Sequence, residues 1–141
     1  MSRKRENVRQ CKAIRQLIDD NKYTKALELI DAIPLEEVGS LDDLYRYAEL
    51  YEKAERMDKK KEIFYHIYHR THSRYMLNRL LRLTIRMGDM EEARELYFAY
   101  EVAGPITLDT FELRYLLAKA EGEPPERLIQ ILEELKKEEY T

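Results

Sequence analysis

The chain has very few of the residues that break helices, cross-link loops or line membranes. Among 141 residues there are four glycines, four prolines, one cysteine and no tryptophan. So few chain breakers exclude an all-β or loop-rich domain, whose turns need glycine and proline at short intervals. One cysteine excludes an internal disulfide, and Cys11, at an apolar helical position, reads as a small buried hydrophobe. No apolar run approaches the length of about 18 residues that a membrane span needs. The charged start MSRKRENVR has no apolar signal-peptide core after it, so the expected location is the cytoplasm.

Chemistry-bearing motifs are missing too. There is no glycine loop to cradle phosphate, no Cys-x-x-Cys pair, no HExxH and no strand-turn-helix setting for a serine nucleophile. Carboxylates stand in charge runs such as Glu36–Glu37 and Glu133–Glu134, which read as solvated surface and not as a buried, pKa-shifted pair. The expectation is a protein without enzymatic activity and without a cofactor. A formal net charge of −3 and a pI near 5.7 lack the basic footprint of a dedicated nucleic-acid binder.

What is abundant is charge, at 38%, interleaved with 44% apolar residues, the balance of solvated amphipathic helices. The class is all-α. Apolar residues three and four apart, with caps and breakers between them, predict eight helices. These run over about 4–20 and 24–33, from Ser40 to near Met57, over 59–70 and 74–87, from Asp89 to 103, from Thr107 to Gly122, and from the Pro124–Pro125 pair onward. Gly88 and Gly122 each close a helix and lie 34 residues apart, the period of a stacked helical hairpin. Such hairpins cannot bury their apolar faces alone, so they stack on neighbours and expose one long recognition surface.

Ala93, the aromatic Tyr97 four positions later and Pro105 twelve positions after the alanine resemble the second half of a tetratricopeptide repeat, with Leu77 and Leu80 supplied by the helix before. Aligned on the turns, Ala26 with Ile30, Ile63 with Ile67, and Arg127 with Ile131 fall in the same slots, and Ile14, Tyr51, Leu81 and Tyr115 stand where the family usually has a small residue. The resemblance implies a single domain over 1–141: a right-handed superhelix, or α-solenoid, of about four antiparallel helix-turn-helix repeats with approximate units 4–37, 41–72, 73–105 and 107–140. It also implies that the first helix of each hairpin lines a concave groove. The family's carboxylate clamp of lysines and asparagines is not reproduced, and Glu49 and Glu52 would oppose it.

Candidate site residues follow from charge placement. Arg74, Asn78, Arg82 and Arg86 are spaced by four on one helix and form a cationic row, which Arg15 can join from the first unit. Guanidinium forks suit carboxylates, so an acidic peptide is the natural guest. The expected function is therefore a scaffold that binds a peptide or partner segment in its concave groove. Two alternatives stay open: a helical-repeat reader of single-stranded RNA, and a peptide-sensing domain of a larger regulator. His66 and His69, at i and i+3, are weak metal-ligand candidates. Leu128, Ile131, Leu132 and Leu135 form an apolar arc on the last helix, where a second copy or further repeats would attach.

Overall fold

The structure, a computed structural model, describes residues 3–140. Eight α-helices, with no strand among the described residues, make up the chain: α1 (Arg3–Asp19), α2 (Tyr23–Ala32), α3 (Leu41–Lys53), α4 (Met57–Thr71), α5 (Arg74–Met87), α6 (Met90–Val102), α7 (Leu108–Ala120) and α8 (Pro125–Tyr140). A short 3-10 helix, Leu35–Glu37, lies between α2 and α3. The chain divides into two compact units, Met1–Thr71 and His72–Thr141, each built of two consecutive hairpins. No described helix is long and apolar enough to cross a membrane.

Each hairpin turns on the same backbone device. Asn21, Glu55, Gly88 and Gly122 adopt φ of 60°, 60°, 84° and 76°, at intervals of 34, 33 and 34 residues. At every one, the positive-φ residue donates its N–H three residues back and the next residue donates five back. Lys22 N reaches Leu17 O at 2.8 Å, Arg56 N reaches Tyr51 O at 2.8 Å, Asp89 N reaches Thr84 O at 3.3 Å and Glu123 N reaches Ala118 O at 3.0 Å. These bonds satisfy carbonyls that a helix end leaves without partners. Glycine is the plain sequence signal for such a turn and asparagine a weaker one, whereas glutamate at this position carries none.

With these turns as origin, the second hairpin is three residues out of the register expected from sequence. The small slot, five residues past each turn, holds Ala26, Lys60, Ala93 and Arg127, so Lys60 and Phe64, not Ile63 and Ile67, match Ala93 and Tyr97. Lys60 is buried to 7% exposure. It fills the slot with its aliphatic stem, and its ammonium lies 5.3 Å from the centre of the Phe64 ring and 3.0 Å from Glu52 Oε1. The slot on the preceding helix moves with it, from Tyr51 to Ala48, a small and buried residue.

In the first unit α1 packs on α2, α2 on α3 and α3 on α4, around Ile14, Ala26, Ile30, Leu44, Tyr47 and Phe64. Ser40 caps α3 by accepting from Asp43 N at 3.3 Å. In the second unit α5 packs on α6, α7 on both, and α8 on α7, around Leu80, Leu81, Ala93, Leu113 and Ile131. Ser73 and Asp89 cap α5 and α6 in the same way as Ser40.

The apolar arc of α8 splits. Ile131 is 1% exposed and belongs to the core of the last hairpin, so it is no part of an outward surface. Leu128 and Leu135 are half-buried, and the outward apolar residues are Leu132 and Ile129, which lies on the same arc. The sequence arc is wider than one neighbour covers, and α7 takes its Ile131 side.

Two stability predictions follow from these placements. Glu55→Gly removes a side chain from a left-handed position and should stabilise the protein by about 1 kcal/mol, raising the melting temperature by about 3 °C. Ile131→Lys should destabilise it by about 3 kcal/mol, whereas Ile129→Lys and Leu132→Lys should shift calorimetric melting little.

Candidate functional site

The four-residue spacing of the α5 row does not keep its members on one line. Four residues advance an α-helix by about 40° beyond a full turn, so Arg74 and Arg86 point about 120° apart. Arg74 is turned toward α6. Its Nε donates to Tyr100 O at 3.0 Å, and its guanidinium carbon lies 4.0 Å above the Tyr100 ring. Gly104 makes room for it, since a Cβ there would come within 2.8 Å of Arg74 Nη1. Arg74 thus finishes the end of α6 and does not belong with the others.

Asn78 and Arg82 do stand together. Arg82 Nε donates to Asn78 Oδ1 at 2.7 Å, and Arg82 Nη1 lies 3.2 Å from Glu112 Oε1 on α7. Arg86 follows one turn later and is exposed. The face shared by α5 and α7 therefore carries an amide, a guanidinium group and a carboxylate, with the Arg86 guanidinium one turn further along α5. Arg114 on α7 is directed to α6 and α8, donating to the Tyr97 hydroxyl at 2.9 Å and approaching Glu134 at 3.5 Å.

Arg15 is engaged inside the first unit. Its Nε lies 3.0 Å from Asp43 Oδ1, with the Asp43 side chain 4% exposed and that of Arg15 45% exposed. The pair borders a cleft of about 400 Å³. Asn7, Val8 and Cys11 of α1 line one side with Arg15; Glu37, Gly39, Ser40 and Asp43 line the other. Arg70 of α4 braces the segment between α2 and α3 by donating to Leu35 O at 3.1 Å and Gly39 O at 3.5 Å. Asp43 Oδ2 and the Tyr47 hydroxyl are buried without hydrogen-bond partners. Burial, and then the neighbouring Cys11 thiol, push the Tyr47 hydroxyl far above its ordinary pKa. From sequence Asp43 is only an acidic residue in a first helical turn. Its ion pair joins residues 28 positions apart, a separation no local pattern encodes.

A second cluster in this unit joins Asp31, Tyr51 and Arg56. The Tyr51 hydroxyl donates to Asp31 Oδ1 at 2.5 Å and Arg56 Nη1 to Asp31 Oδ2 at 2.8 Å. The Arg56 hydrogen bond holds the Asp31 carboxyl below the usual carboxylate range.

Among the described residues no group of three or more His, Cys, Asp or Glu is placed to hold a metal ion. His66 is half-buried with Nε2 lacking a partner, and burial, with Arg70 nearby, lowers its pKa. His69 stacks on Tyr65, with ring centres 6.2 Å apart. Comparison with known proteins adds no relative to this picture: no family model, no curated protein and no solved structure matches the chain.

Proposed function

We propose that the chain is a peptide-binding scaffold without enzymatic activity, an α-solenoid of tetratricopeptide type. The observation that carries this reading is the recurrence of one turn geometry at intervals of 34, 33 and 34 residues, each turn joining two antiparallel helices. A unit repeated at that length serves to build an extended surface, and side chains on that surface supply recognition. In such arrays the first helix of each hairpin lines the inner face, which in the second unit means α5 and α7. The guest is an acidic peptide whose carboxylate takes the place of Glu112 on Arg82, with Asn78 and Arg86 beside it. An acidic peptide needs only this local cationic patch, whereas single-stranded RNA needs a run of cations along its phosphates, the basic footprint that a chain of net charge −3 lacks.

The test is fluorescence anisotropy with acidic and neutral peptides selected from an array. Arg82→Glu and Arg86→Glu should each weaken acidic-peptide binding about tenfold, at a cost to stability of about 1 kcal/mol or less. Arg74→Ala should behave in the opposite sense, lowering stability by about 2 kcal/mol through loss of the Tyr100 contacts while sparing affinity. Unchanged binding in both glutamate variants, or tighter and salt-sensitive binding of single-stranded RNA, would overturn the proposal.

A further inference from the structure

We infer, resting on the peptide-binding reading of the α5–α7 face, that its guest carries a large apolar side chain about three residues from its acidic one, seated on Tyr75 and Leu108 while the carboxylate sits on Arg82. A peptide with carboxylates alone would fill only half of this face.

The turn at Gly88 sets α6 antiparallel to α5. Arg94 and Tyr97, in chain order along α6, meet Glu121 and Arg114, in reverse order along α7. Helix α7 is thus antiparallel to α6 and parallel to α5. The contact of Arg82 with Glu112 at 3.2 Å then sets the register: one turn earlier Asn78 on α5 stands near the level of Leu108 on α7, and Tyr75 lies about one turn further back.

Helical phase decides which side chains share the face. At about 100° per residue, Tyr75 points within about 20° of Arg82, and Asn78, Arg79 and Arg86 fall in the same arc of about 100°. On α7, Leu108, Glu112, Tyr115 and Lys119 occupy an arc of about 60°, and Asp109 lies outside it. The face is graded along the helices. Arg82, Arg86 and Lys119 hold its middle and C-terminal end, with Glu112 as the carboxylate among them. Tyr75 and Leu108, 64% and 50% exposed, hold its N-terminal end, and the Arg79 guanidinium, 5.8 Å from the centre of the Tyr75 ring, marks the boundary. Exposed apolar groups beside a carboxylate-binding guanidinium gain most from a guest that covers them as it pairs. Tyr75 and Arg82 are seven residues apart, about 10 Å along the helix, and an extended peptide covers that length in about three residues.

The experiment is fluorescence anisotropy of the full chain with labelled peptides in which glycine and serine alternate around a central pair of glutamates. Three further peptides add phenylalanine three residues before the pair, three residues after it, or directly beside it. One of the two three-residue spacings should bind about tenfold more tightly than both the parent peptide and the adjacent form. Tyr75→Ser and Leu108→Ser, both at exposed positions, should bring that peptide and the parent to equal affinity with melting unchanged, whereas Arg82→Glu should weaken every peptide. No gain at either spacing, an equal gain beside the pair, or a gain that survives both serine variants, with Arg82→Glu still weakening the parent peptide, would overturn this inference alone. Absence of any Arg82-dependent binding would overturn it together with the reading on which it rests.

Discussion

The left-handed turn is the constraint on which the remaining structure depends. A helix ending in one positive-φ residue, with the next residue bonded five positions back, must reverse direction within two or three residues. That reversal lays the second helix antiparallel on the first and sets the slot five residues on at the same distance from each turn. Two of the four turns achieve this with glycine, and two accept the strain of a side chain. The slot tolerates alanine, and also lysine, whose stem passes the core and whose charge emerges at Glu52. Backbone geometry is therefore repeated more faithfully than residue identity.

The two units spend their connections differently. Between α6 and α7 the chain is short, and α7 packs against both α5 and α6. Between α2 and α3 it is longer, contains a 3-10 helix and is braced by Arg70. The cleft beside α1 is lined in part by this connection and by an ion pair of which only the Asp43 carboxylate is buried. Burying one carboxylate beside one guanidinium carries a desolvation cost that its single 3.0 Å contact offsets only in part.

Arginine illustrates how charge is divided between structure and surface. Arg74, Arg114 and Arg15 each hold an element in place, through Tyr100, Tyr97 and Asp43 respectively. Arg82 does so while remaining on a face where a competing carboxylate can reach it. A row of like charges on one helix is thus not one site. Its members diverge with helical phase, and neighbouring helices recruit whichever side chains they meet.

The eight helices and most of their ends were legible in the sequence, because amphipathic spacing, capping serines, glycine stops and the proline pair are local signals acting within one or two turns. Gly88 and Gly122, the caps at Ser40 and Asp89 and the start of α8 at Pro125 are such cases. The turn at Glu55 was hidden, since its conformation is imposed by the packed hairpin and not favoured by the residue, while Asn21 offered only a weaker form of the glycine signal. The same holds for Lys60 in a small-residue slot, for the burial of Ile131 and for the diversion of Arg74 to Tyr100. The Arg15–Asp43 pair and its cleft lay furthest from view. Side chains 28 positions apart meet only after α1, α2 and α3 have packed, and tertiary structure alone decides which of many exposed-looking charges lose their water.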